Sequence, residues 1–197
     1  MKRQTKKMSC FDWEAVKIVK ISEAIFGDSS SQYTSLYVLC FGAPPYQEKF
    51  THDDVMKLAK EKWFTPNSSI FALVDVSTGH VYSYLVAYNL EHEEKVLKAI
   101  KDNIDEPQNY LYVAEILTAP EWRGNGFAAC LVNKLKEEYP DTNMIVRMTE
   151  KNVASKNLFL KSGFSFLDGT KEYVSQRRLG DAPVKDKRIF MVRRSLH

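Results

Sequence analysis

The 197-residue chain predicts a mixed α/β fold, one sheet of about seven strands flanked by about four to five helices. Three observations carry that expectation. Stretches of strand and helix periodicity alternate along the chain. No repeat, low-complexity run or linker divides it, so a single domain is expected over residues 13–197, after a basic tail at 1–12. At the centre, a β-rich run (Tyr110 to Thr118) leads through a turn with two glycines into an amphipathic helix from Ala128 to Tyr139.

The elements follow in order. Val16 to Ile21 is apolar and β-branched, a first strand. Gln32 to Phe41 has Tyr33, Leu36, Tyr37 and Cys40 at helical spacing. Gly42 to Glu48 breaks that helix with two prolines. Thr51 caps a second helix to about Trp63, with Asp53 and Asp54 in its first turn. Ile70 to Val76 and Val81 to Tyr88 form a hairpin around Ser77-Thr78-Gly79. Glu91 to Ile104 reads as a short surface helix. After the central unit come a strand (Asn143 to Met148) and a helix (Asn152 to Lys161) stopped by Gly163. A strand starts over Phe164 to Leu167. Thr170 to Asp186 reads as a long loop with partial strand at its base, and Lys187 to Arg194 as the closing strand.

Composition bounds the function. Hydrophobic residues make up 44% and charged residues 27%, with a net charge of +3. That mild basicity suits an anionic small molecule and is too weak to argue for nucleic acid. No run approaches the ~18 apolar residues of a membrane span. Cys10, Cys40 and Cys130 are widely spaced and odd in number, so neither a metal site nor a disulfide framework is expected. A cytoplasmic protein is the simplest expectation.

The central turn, Arg123-Gly124-Asn125-Gly126-Phe127-Ala128, has the layout of an anion cradle. Amides at a helix start are unsatisfied and lie at the positive end of the helix dipole. Glycine lets an anion approach the backbone, and Arg123 adds charge at the mouth. The turn is neither a dinucleotide fingerprint nor a P-loop.

The pattern Arg123-x-x-Gly126-x-Ala128, after a strand ending in x-Pro, resembles the acetyl-CoA loop of the GNAT superfamily of N-acetyltransferases. Asn152, Ser155, Phe159, Gly163 and Phe164 resemble that family's later Asn-x-x-Ala-x-x-x-Tyr-x-x-x-Gly-Phe block in spacing. The resemblance covers roughly residues 14 to 195. It implies a mostly antiparallel sheet, splayed open after the central strand, and acetyl-CoA as co-substrate with no metal. The backbone of Leu117 and Thr118 would pair with the pantetheine arm like an added strand. Arg123, Gly124, Asn125, Gly126, Phe127 and Ala128 would hold the pyrophosphate. Asn152 would bond the pantetheine amide region or the departing amine, and Phe159 would pack beside the thioester.

Phe159 departs from the family's usual Tyr, often assigned as proton donor to the leaving thiolate. Phe cannot donate, so that role is vacant or filled elsewhere. A thiol of pKa roughly 8.5, taken from the cysteine reference, still leaves tolerably near neutral pH. Ser155 for Ala and Thr118 for Val are milder departures.

On the acceptor side, Glu115 is the only carboxylate of the central strand, and members of the family often carry their base on the Tyr112 side. Simple alternation puts Tyr112 and Glu115 on opposite faces. A bulge would upset that parity, so both are candidate catalytic residues. Tyr46 and Glu48 are candidate substrate residues, a stiff aromatic wall and an attractant for a cationic amine. The basic stretch around Arg177, Arg178, Lys187 and Arg188 reads as a solvated loop. The reaction expected is acetyl transfer to a primary amine by direct attack. A non-catalytic acyl-CoA-binding module, or acylation of a protein or aminoacyl-tRNA amine, stands as the alternative. The expected partners are acetyl-CoA and a small amine, without a membrane, with nucleic acid unlikely and a homodimer left open.

Overall fold

The computed structural model describes residues 13–176 and 184–195. The tail expected at 1–12 therefore lies outside the described residues, as do Arg177 and Arg178. Among the described residues, seven strands form one sheet in the order β1-β2-β3-β4-β5-β7-β6. They are β1 (Val16–Lys20), β2 (Ser69–Asp75), β3 (Val81–Asn89), β4 (Tyr110–Thr118), β5 (Asn143–Thr149), β6 (Ser165–Gln176) and β7 (Val184–Arg193). Only β4 and β5 pair in parallel; the other neighbours are antiparallel. Helix α5 (Phe127–Glu138) makes the crossover that a parallel pair requires.

Helices cover both faces. On one lie α1 (Glu23–Asp28), α2 (Ser30–Gly42), α3 (His52–Leu58) and α4 (Glu94–Ile100). On the other lie α5 and α6 (Val153–Lys161). Coverage on both sides explains why β3 reads as a continuous apolar run, buried from Val81 to Tyr88. The side chains split into two cores. Val55, Trp63, Tyr84, Val86, Val96 and Ile100 pack on the α2 side. Leu85, Phe127, Leu131, Leu135, Met191 and Phe159 pack on the α5 side. Helix α5 buries Phe127, Leu131, Val132 and Leu135, a single stripe at three-and-four spacing.

Three local differences from the expected elements have physical causes. Helix α1 is an unexpected short helix, started by Ser22, whose Oγ accepts from the Ile25 amide at 3.3 Å. Thr51 caps α3 in a full capping box with Asp54, but the α-helix ends at Leu58 and a π turn carries Ala59 to Trp63. The stretch Thr170 to Asp186, expected as a loop with partial strand at its base, is strand throughout its described residues: β6 runs to Gln176 and β7 begins at Val184. Main-chain pairing of Lys171 to Gln176 with β7 overrides their polar composition. Among the described residues no helix is long and apolar enough to cross a membrane.

Candidate active site

The site follows from where pairing stops. The parallel ladder between β4 and β5 ends at Val113 opposite Val146. Both strands continue, β4 to Thr118 and β5 to Thr149, with no further pairing to each other. A gap with strand backbone on one wall results.

Strand β4 carries a bulge beside this gap. Against β3, Val86 opposes Glu115 and Ala87 opposes Val113, so Ala114 is the extra residue. The inserted residue reverses the alternation beyond it. Tyr112 lies opposite Tyr88 and Glu115 opposite Val86, two residues apart on one face of β3. Tyr112 and Glu115 therefore share the α2 face, which corrects the opposite-face placement expected from simple alternation. The bulge brings the two candidates together.

Past the bulge, the backbone direction also matters. The Ala119 amide donates to Tyr82 O at 3.0 Å, so Ala119 and Leu117 turn their main-chain groups toward β3. Ile116 and Thr118 turn theirs toward the gap. Of Leu117 and Thr118, the two residues expected to present backbone to an extended ligand, Thr118 turns its main-chain groups to the gap, as Ile116 does, and Leu117 turns its own toward β3. The Thr118 carbonyl already accepts from Arg123 Nε at 3.3 Å and from Cys40 Sγ at 3.4 Å. Arg123 is exposed, with Nη2 3.7 Å from Cys40 Sγ. Its charge sits at the junction of β4 and the turn.

Beyond Arg123, Gly124 and Gly126 take positive φ, +86° and +84°. Gly126 is the residue before α5. A left-handed backbone here aims the amides of Gly126, Phe127 and Ala128 out of the helix end. A Cβ on either glycine would meet nothing within 4 Å, so the concavity is open. Asn125 bonds inward, Nδ2 to Trp122 O at 3.0 Å, and the Phe127 ring is core. The turn's ligand capacity thus lies in its main chain.

Glu115 accepts a hydrogen bond from the Tyr37 hydroxyl of α2 at 3.2 Å. Its side chain keeps partial solvent access within a dense protein surround. Burial raises its pKa from 4.5 to about 8, opposed by the Tyr37 bond and by Arg147 of β5, and reinforced by Glu48 and Glu93. A carboxyl titrating there is poised to take a proton near neutral pH. Tyr112 is 4% exposed, and burial raises its phenol far above ordinary values, so it stays a neutral phenol.

The connection between α2 and α3 roofs the gap. Tyr46 accepts a hydrogen bond from Asn152 Nδ2 at 3.2 Å, while Asn152 Oδ1 caps α6 through the Ser155 amide at 3.0 Å. Glu48 pairs with Arg188 of β7 at 3.3 Å, and Arg188 Nε meets Asp186 at 3.3 Å. That second contact is ionic; Arg188 Nε has no aligned acceptor. Both side chains of the Glu48 pair are buried, 13% and 12% exposed. Glu48 is thus tied to Arg188, an arrangement different from a carboxylate held open for an amine. Burial raises its pKa, and Arg188 opposes the rise. Phe159 is 1% exposed and packs edge-to-face on Phe164, with centroids 5.0 Å apart. It belongs to the α5-side core.

Tyr37, Arg147 and Arg188 were missed in the sequence. Tyr37 sits in an apolar helix stripe, where the pattern reports core. Arg188 sits in a basic run that reads as solvated, and only the long-range pairing of β7 with β5 brings it under the roof. Among the described residues no group of His, Cys, Asp or Glu could hold a metal ion.

Comparison with known proteins decides the family. A profile described as the acetyltransferase (GNAT) family matches residues 32–164, more than half of the chain. The chain belongs to that family. As a GNAT protein it is an acyltransferase, and both the anion-cradle turn and the gap fall within the matched region. No curated protein matches the sequence. Solved structures share the fold. The ribosomal-protein-S18-alanine N-acetyltransferase of Escherichia coli is 12% identical, with a TM-score of 0.60 over 92% of this chain and 96% of its own. The phosphinothricin acetyltransferase of Sinorhizobium meliloti, solved with AcCoA, is 14% identical, with a TM-score of 0.60 over 91% and 88%. A GCN5-related N-acetyltransferase from Kribbella flavida is 15% identical, with a TM-score of 0.56 over 92% and 98%.

Proposed function

We propose that this GNAT protein transfers an acetyl group from acetyl-CoA to a primary amine by direct attack in the gap between β4 and β5. The observation that carries the proposal is Glu115, a carboxyl with a pKa near 8 beside the bulge. It accepts a proton from the acceptor ammonium and leaves a neutral nucleophile. Backbone amides beyond the bulge, of which Ile116 faces the gap, stabilise the oxyanion that forms on the acetyl carbonyl. The open turn from Arg123 to Ala128 takes the pyrophosphate through its amides, in keeping with the acetyl-CoA carried by the Sinorhizobium neighbour. Thr118 and Ile116 offer backbone to the pantetheine arm. The site works in the cytoplasm, where acetyl-CoA is made available.

The printed names of the neighbours point to a ribosomal protein alanine and to phosphinothricin, so acceptors differ on one fold. The acceptor here is set by this chain's own roof, Tyr46 with the Glu48–Arg188 pair, which favours a small amine over a bulky macromolecule. A second reading has one observation in its favour. Phe159 leaves the usual proton-donor position empty, as in an acyl-CoA-binding module without turnover. Thiol release from acetyl-CoA against a panel of small amines separates the two. Release with at least one amine supports transfer; tight CoA binding with no release on any amine supports the module.

A further inference from the structure

We propose that Arg123 is a latch that sets donor specificity: it closes the strand backbone of the gap to a pantetheine without phosphate and opens it to one that carries a diphosphate. This rests on the reading above, in which the turn takes the pyrophosphate and Thr118 offers backbone to the pantetheine arm. The argument starts from the peptide unit that joins Thr118 to Ala119. Its N–H, on Ala119, donates to Tyr82 O of β3 at 3.0 Å. In a planar trans peptide the C=O points opposite to the N–H, so the Thr118 carbonyl is aimed into the gap. The unit is held there. Leu117 O, one residue earlier, accepts from Ser83 Oγ at 2.6 Å, and the Thr118 hydroxyl lies 2.9 Å from the same Ser83 Oγ.

A carbonyl oxygen has two lone pairs, and at Thr118 both are taken. Arg123 Nε donates to it at 3.3 Å and Cys40 Sγ at 3.4 Å. Burial raises the Cys40 thiol pKa, which keeps that thiol a donor. A pantetheine amide entering the gap therefore finds Thr118 O filled, and one donor has to leave. The two differ in freedom. Cys40 is buried in the core on the α2 side, whereas Arg123 is exposed. They differ in alternatives as well. Arg123 stands at the entry to the open, left-handed turn that ends at Gly126 before α5. A diphosphate seated in that turn offers the guanidinium an anionic partner in place of a neutral carbonyl, and the anionic bond is the stronger. When Arg123 moves to the phosphate, it frees the lone pair that the pantetheine amide needs, and Cys40 keeps the other. One side chain thus couples the two halves of the donor, so that each binds more tightly when the other is in place.

The test measures dissociation constants by NMR titration of the full-length protein, for CoA, for pantetheine, and for pantetheine with saturating ADP. Wild type is compared with Arg123→Met, and melting temperature checks that the variant folds. In wild type, ADP should tighten pantetheine binding about two- to tenfold, the worth of one ordinary hydrogen bond. In Arg123→Met, pantetheine alone should bind tighter by that same factor, ADP should add nothing, and CoA should weaken about tenfold or more. A variant that weakens CoA but leaves pantetheine unchanged makes Arg123 a plain phosphate contact and overturns the proposal. A variant that weakens both equally makes it a prop of the strand and overturns it too. So does a gain for pantetheine in Cys40→Ala that Arg123→Met lacks. A wild type that binds no CoA is a different failure: it sinks the cofactor reading on which the latch stands.

Discussion

Tyr37 of α2 donates to Glu115 of β4 across 3.2 Å, joining the first long helix to the bulged central strand. This bond supports the charged form of a carboxylate that burial otherwise discourages. Tyr37→Phe removes it without removing the ring. The Glu115 pKa then rises above its present value, and the acid limb of kcat/KM moves to higher pH. The KM for acetyl-CoA stays as it was. A pH–rate profile of the variant from pH 6 to pH 9.5 checks both; an unmoved limb would break the link between the two residues.

Glu115 also has a signature in stability. Its folded pKa, about 8, lies above the unfolded value of 4.5. The folded state therefore holds this proton more tightly, and stability falls as pH rises from the unfolded pKa through the folded one. Glu115→Gln is neutral throughout and escapes that loss. The variant should melt several degrees above wild type at pH 9 and close to it at pH 5, measured by calorimetry. A wider gap at pH 5 would contradict the sign.

The roof depends on Arg188, which lies between Glu48 and Asp186. Arg188→Met removes the cation and leaves two carboxylates facing each other in a largely buried place. Breaking a buried pair on one side costs about 3–5 kcal/mol. A urea titration should show that loss. Glu48→Gln should cost less, because Asp186 still partners the arginine.

In the turn, backbone strain and ligand contact can be separated. At φ +84° any side chain on Gly126 is strained by roughly 1–2 kcal/mol. Gly126→Ala pays that strain alone, with its Cβ in open space. Gly126→Glu adds bulk and negative charge. The expected result from calorimetric titration is modest weakening of CoA binding in the alanine variant and loss of binding in the glutamate variant. Equal affinity in both would remove the pyrophosphate from this turn.

The fold was legible in the sequence wherever periodicity was strong. The β4–turn–α5 unit, the hairpin of β2 and β3, and α6 all lie within a few residues of their expected limits. The strands β6 and β7 were less legible, because their polar residues pair through the main chain and leave no alternation to read. The turn from Arg123 to Ala128 announced itself because consecutive residues form it. The acceptor side did not. Its partners, Tyr37 with Glu115 and Glu48 with Arg188, are 78 and 140 residues apart. The Ala114 bulge, which decides the face of Glu115, is set by register with β3 and has no local marker such as glycine.

The central claim is that Glu115 takes the acceptor's proton. The most direct measurement is thiol release from acetyl-CoA with a turned-over amine, as kcat/KM between pH 6 and 9, for wild type and Glu115→Gln. Wild-type activity should climb as Glu115 ionises and level off above an apparent pKa near 8. The variant should lose about 10²- to 10⁴-fold and lack that limb, with CoA affinity intact. A variant as active as wild type, with the same limb, would contradict the account.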